Sequence, residues 1–455
     1  MAKTAEVLGL HPKCRELMER ARLIVPDGSQ TASKSPRRFT GPGTVLPAFV
    51  SEAKGAYFRC PDGARYLDFC MGLCPMILGY GDPDVESAAI SQMQRAMLGT
   101  LPSPLEVELS EELISHWTPW AEMVRFFKTG SEATSAAVRL SRAVTSRSKV
   151  VIIRPGYSGW HDWAISDQKP GLGIPPEVKA LTISALRGNN DFLEAVLFPF
   201  KREDAPAAVV MEPWITSDGW DRGPLNVKYL EEVRGLCTSS GVMLIFDEIV
   251  TGIRSDPSIS QHAGVIPDLM TLGKAMGNGF PIAALVGRRE LMSHVNQDEV
   301  FASGTYGGEM VSLAASLATL KKLREDDHSP EWCCRLDRMR GLGEAFLEAV
   351  KIQADSIHSQ YHPPKVSGAW FRFVMEFPDK LVSDLFQQEC AKRWVLFTGA
   401  HNLSWAHLAD EGNPMRELLG CYGEVFSQIK GWVDSGNLLS AFLEGEPSRP
   451  AFRRQ

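Results

Sequence analysis

The stretch Asp268-Leu-Met-Thr-Leu-Gly-Lys-Ala-Met-Gly-Asn-Gly279 decides how this chain is read. A short apolar run stops at Gly273, and Lys274 stands just beyond it. Another apolar run, Gly241-Val-Met-Leu-Ile-Phe-Asp-Glu-Ile249, meets its first acid at Asp247, 27 positions before that lysine. A lysine among glycines is ordinarily a solvated loop residue. A strand-terminal aspartate backed by an apolar run has few structural reasons to exist. Together they read as the two ends of a pyridoxal phosphate (PLP) site. The lysine amine would hold an aldehyde as a Schiff base, and the acid would keep a pyridine nitrogen protonated.

Working outward, short continuous apolar runs at Val124–Phe127, Val150–Ile153, Ala207–Met211, Val242–Phe246, Leu269–Leu272 and Ile282–Val286 predict buried strands. Helical patterns lie between them. One is Ala133–Thr145, with Ala137, Leu140, Ser141 and Val144 on one face. The alternation predicts an α/β domain on a large, mostly parallel sheet over 81–325. An amphipathic helix at 11–25 and a hairpin at Ala56–Asp68, turning at Pro61-Asp-Gly63, belong to an N-terminal segment, 1–80. A long helix over 309–323 and the charged stretch Arg324–Pro330 lead into a smaller α+β portion, 326–455.

Ligands of open α/β sheets gather at the carboxyl ends of strands. Phe126-Phe-Lys-Thr-Gly-Ser-Glu-Ala-Thr134 reads as strand, turn and helix start, so Gly130 and Ser131 offer a phosphate cradle. Taken alone, a Gly-Ser pair before a helix is first of all a cap. Tyr157 follows the strand Val150–Ile153 and could stack on a ring, with Ile249 packing on the opposite face. Ser303-Gly-Thr-Tyr-Gly-Gly308 is a glycine-rich loop carrying a hydroxyl at Thr305.

The 455 residues are 44% hydrophobic and 23% charged, with a formal net charge of −7: a globular balance without the basic footprint of a nucleic-acid binder. No apolar run is long enough to span a bilayer and no signal peptide opens the chain, so a cytoplasmic protein is expected. The nine cysteines are irregularly spaced. Neither Cys70/Cys74 nor Cys333/Cys334 makes a zinc pattern; reduced thiols and no metal are expected.

With these motifs the chain resembles the class III aminotransferases, PLP enzymes of the type I fold, and their glutamate-1-semialdehyde aminomutase branch in particular. The resemblance rests on Gly130-Ser-Glu-Ala133, the Tyr157 segment, Met211-Glu-Pro213, Phe246-Asp-Glu-Ile-Val-Thr-Gly-Ile-Arg254, and Leu272-Gly-Lys274 with Gly304-Thr305. It implies Lys274 as the Schiff-base lysine, Asp247 at the ring nitrogen, Gly130 and Ser131 at the phosphate, and Tyr157 stacked. Thr305 would complete the phosphate site from a second subunit, making a homodimer. The chain departs from the family at Tyr157-Ser-Gly159, Gly308-Glu-Met310 and Asp247-Glu-Ile-Val250.

The expected reaction is ping-pong transfer of an amino group from an amino acid, glutamate first, to a carbonyl acceptor. Trp160-His-Asp-Trp163, Asp167, Trp214 and Asp218-Gly-Trp-Asp221 suggest a hydroxylated ring, such as the 6′-aldehyde of an aminoglycoside in antibiotic biosynthesis. Trp160, Glu212 and Tyr306 are the candidate substrate contacts. The alternatives within PLP chemistry are an aminomutase of the glutamate-1-semialdehyde type and an epimerase or elimination enzyme.

Overall fold

The computed structural model describes residues 11–35, 47–168, 172–199, 201, 204–214, 225–255, 258–325, 333–355, 363–409, 413–436 and 438–444. The chain divides into two compact units, one spanning 83–338 and the other joining 1–82 to 339–453.

The larger unit is built on a seven-stranded sheet. Its strands run in the order Met123–Phe127, Ala283–Gly287, Leu269–Leu272, Met243–Asp247, Ala208–Met211, Val150–Arg154 and Thr182–Leu186. Ala283–Gly287 is antiparallel to both of its neighbours, and every other pairing is parallel. Six strands fall where continuous apolar runs predict them. Thr182–Leu186 escapes that reading because it is an edge strand, half-exposed, with the mixed sequence Thr-Ile-Ser-Ala-Leu.

The helix Gly130–Thr145 begins three residues before the expected start. Thr129 caps it in a capping box, its hydroxyl accepting from the Glu132 amide while Glu132 bonds back to the Thr129 amide. Ala137, Leu140 and Ser141 are buried against the sheet, but Val144 is exposed, which corrects the expected face. It stands one residue from the helix end, where the last turn leaves the sheet for Ser146 in a left-handed cap. Ala137, Leu140, Val150, Ile152, Val210, Ile245 and Leu285 share one core.

In the second unit the hairpin forms as expected, Tyr57–Arg59 pairing antiparallel with Arg65–Asp68 across the Pro61-Asp-Gly turn. Val395–Leu396 adds in parallel to Arg65–Asp68, and Lys365–Ala369, Arg372–Glu376 and Ala400–Asn402 make a separate three-stranded sheet. The expected helix at 11–25 spans Pro12–Ile24. The expected helix at 309–323 spans Met310–Arg324, whereas the charged stretch beyond Glu325 lies outside the described residues. Among the described residues no helix is long and apolar enough to cross a membrane.

Candidate active site

Parallel pairing of adjacent strands gathers the site at their carboxyl ends. Asp247 closes its strand in register with Thr271, and its carboxyl is buried. Thr271 Oγ1 donates to Asp247 Oδ1 at 3.1 Å and the Ile249 amide donates to the same oxygen at 3.3 Å, so both bonds engage one carboxyl oxygen. Burial pushes this acid up to about 6, the charge of Glu212 adds to the rise, and the Lys274 ammonium opposes it. A buried carboxylate with a raised pKa is a site that favours a cation.

Lys274 is half-buried three residues past Thr271. Its backbone has φ +37, in the left-handed region that a lysine rarely adopts. The residue before it, Gly273, is closely approached, since a Cβ there would lie 3.1 Å from Ile249 Cδ1. Gly130 meets the same side chain, with a Cβ 3.1 Å from Ile249 Cδ1 and Cγ1. Ile249 therefore fits between the helix start and the Lys274 turn, which explains both glycines.

Tyr157 is brought to Asp247 as well. Burial and then the Asp247 charge raise its hydroxyl above the usual phenol range. Glu212, read as a substrate contact, is buried, and its Oε1 accepts from the Tyr157 amide at 2.9 Å. It thus orients the Tyr157 loop beside Asp247. Ser131, at the helix N-terminus, accepts from the Trp160 amide at 3.2 Å. Gly159 has φ +105, and a Cβ there would come within 2.7 Å of Ser131 Oγ. Ser158 is buried, and its carbonyl accepts from Thr134 Oγ1 at 2.8 Å.

Other candidates belong to the scaffold. Trp163 is buried and donates to Ser135 Oγ. Asp167 is paired with Arg154, whose hydrogen bonds and charge overcome burial and hold the carboxyl below the ordinary range. Both side chains thus have structural partners within the fold. Trp214 is half-buried, and 218–221 lie outside the described residues. Trp160 and Tyr306 are 68% and 62% exposed, and Thr305 is exposed on the same loop as Tyr306. Glu309 caps the helix Met310–Arg324 through the Val311 and Ser312 amides and binds Lys128 Nζ at 2.7 Å, which accounts for that departure from the family. Thr271 is the one polar residue in Leu269-Met-Thr-Leu272, and its role follows only from the strand pairing.

The sequence profile of Aminotransferase class-III matches residues 40–389. This chain belongs to that family. The class III chain is 35% identical to a glutamate-1-semialdehyde 2,1-aminomutase of Methanothrix thermoacetophila over 385 residues, 82% of this chain and 84% of that one. It is 36% identical to the enzyme of the same name from Methanothermobacter thermautotrophicus over 319 residues, covering 68% and 73%. Among solved structures, the PLP internal aldimine form of the FumI protein of Sphingopyxis sp. MTA144 superimposes with a TM-score of 0.82 at 24% identity, covering 96% and 98%. A glutamate-1-semialdehyde aminomutase from Pseudomonas aeruginosa PAO1 does so with a TM-score of 0.77 at 21% identity, covering 94% and 96%. These likenesses confirm the type I fold.

The cofactor of class III enzymes is PLP, and the residues fit it. The buried Asp247 carboxylate suits a pyridinium, the first turn of Gly130–Thr145 suits a phosphate, and the Lys274 amine suits an aldehyde.

Proposed function

We propose that this class III enzyme is an aminomutase of the glutamate-1-semialdehyde type, moving an amino group between neighbouring carbons of one small amino aldehyde. The observation that carries the reading is the shared identity, 35% over 82% of the chain, with a curated enzyme of that name. The loss of Trp163 and Asp167 to the scaffold supports it by removing features that suggested a sugar ring.

In this reading PLP, when bound, supplies an electron sink joined to the amine-bearing carbon. Asp247 would pair with the ring nitrogen and keep it protonated. Its carboxylate stabilises the cation at short range in a buried setting. Lys274 Nζ would hold the cofactor at rest. When displaced by substrate, it acts as the base that takes a proton from one substrate carbon and returns it at another. Gly130 and Ser131 would anchor the phosphate, and Tyr157 and Ile249 would flank the ring. Glu212 keeps the Tyr157 loop in position.

The enzyme also works as a homodimer in this proposal, with Thr305 of one copy completing the phosphate site of the other. The exposure of Thr305, Tyr306 and Phe301 supports it, as does that of Met97, Leu98 and Leu101.

Substrate and product of an aminomutase are isomers, so no donor is consumed. Holoprotein given glutamate 1-semialdehyde alone should produce 5-amino-4-oxopentanoate, with no 2-oxo acid released. Product that forms only when an amino donor is added, with stoichiometric 2-oxo acid, would replace this reading by intermolecular transamination.

A further inference from the structure

Four side chains in the smaller unit converge without any role in the chemistry above. His11 precedes the helix Pro12–Ile24 and Cys14 lies in its first turn, while Cys60 and Asp62 come from the hairpin turn. One ligand atom from each lies within 4.8 Å of all the others. Cys60 Sγ is 3.5 Å from His11 Nδ1, and His11 Nδ1 is 3.8 Å from Asp62 Oδ2. Ligand atoms on a tetrahedral zinc, with bonds of about 2.0–2.3 Å, stand roughly 3.3–3.8 Å apart. A contraction of about 1 Å at the widest pair completes that geometry.

The ligand types select the metal. Two sulfurs and an imidazole with a single carboxylate suit a borderline-soft dication and not calcium or magnesium, which take oxygen. His11, Cys14 and Cys60 are each at most 2% exposed, so four protein groups close the site without leaving a position for substrate. The surrounding bonds orient the ligands. His11 Nε2 is bonded to Tyr66 Oη at 2.8 Å, which turns Nδ1 toward the thiols. The Lys13 and Cys14 amides donate to Asp62 at 2.8 and 3.0 Å. A carboxylate accepts at about four positions, so capping this helix and binding a metal are compatible.

We propose that His11 Nδ1, Cys14 Sγ, Cys60 Sγ and an Asp62 oxygen form a structural four-coordinate Zn2+ site that fastens the N-terminal helix to the hairpin. On binding, each thiol releases its proton to water and an S–Zn bond replaces the S–H bond; no electrons change hands. The sequence conceals the site because its halves, His11-x-x-Cys14 and Cys60-x-Asp62, are far apart in the chain. It does not depend on the reaction proposed above.

The test uses full-length holoprotein purified without chelator, measured for zinc by mass spectrometry and again after exchange into cobalt(II). Expected are about one zinc per chain and a thiolate-to-cobalt charge-transfer band. Both should be lost in Cys14→Ser and in Cys60→Ser, and kept in a Cys333→Ser/Cys334→Ser control. Should the two variants fail to fold, alkylation of the wild type decides. In mild denaturant, which opens this buried site, zinc should slow alkylation of Cys14 and Cys60 and chelator should speed it. No zinc retained after loading and dialysis, zinc undiminished in both variants, or alkylation indifferent to zinc would each overturn the site.

Discussion

Thr271 and Asp247 face each other in register on adjacent parallel strands, and the threonine hydroxyl donates to Asp247 Oδ1 at 3.1 Å. The bond restrains the carboxyl rotation and favours the ionised form. Thr271→Val keeps the shape and removes the donor. It should weaken cofactor binding about tenfold, the equivalent of one hydrogen bond to a charged group, while leaving the strand pairing intact. Equilibrium dialysis of PLP against both proteins measures this, and equal affinities would deny Thr271 the role.

Asp247 itself is held at a cost. In the cofactor-free protein burial raises it from 3.8 to about 6. A carboxyl raised on folding stabilises most below its unfolded value and loses that contribution as pH climbs through the folded one. Asp247→Asn carries no such penalty. The cofactor-free variant should therefore gain stability over wild type between about pH 4 and pH 7, by on the order of 3 kcal/mol, while losing activity. Denaturant titrations at several pH values check it; a variant less stable at neutral pH than wild type would contradict the electrostatic account.

Lys274 sits at φ +37. A residue with a Cβ loses about 1 kcal/mol in that conformation, and glycine does not. Lys274→Gly should then melt higher than Lys274→Ala, with both inactive and both folded by circular dichroism.

Gly159→Ala meets two obstacles together, a φ of +105 and a Cβ 2.7 Å from Ser131 Oγ. It should lower stability by about 1–3 kcal/mol and loosen the phosphate end of the site, so cofactor should dissociate faster than from wild type. Stopped-flow dilution into a PLP trap reads the rate.

The sheet was legible because strands covered on both faces must be continuous apolar runs, and Val150–Arg154, Met243–Asp247 and Leu269–Leu272 are such runs. Thr182–Leu186, at the edge, carries no such obligation and was missed. The placement of Asp247 and Lys274 at strand ends and the close approach at Gly130 were legible for a related reason: parallel strands share their carboxyl ends, and glycine marks a close approach. The Thr271 bond was not, because it depends on which strands are neighbours, and a chain shows neighbours only in sequence. Trp163 and Asp167 misled for the same reason. Their partners Ser135 and Arg154 lie on a helix and a strand that meet only in the fold.

Everything assigned to the site turns on which lysine holds the cofactor. Borohydride reduction of the holoprotein, followed by digestion and peptide mass spectrometry, answers that directly. The account predicts one phosphopyridoxyl group per chain on the peptide containing Lys274, and none in Lys274→Ala. Label on a different lysine in the wild type would contradict it.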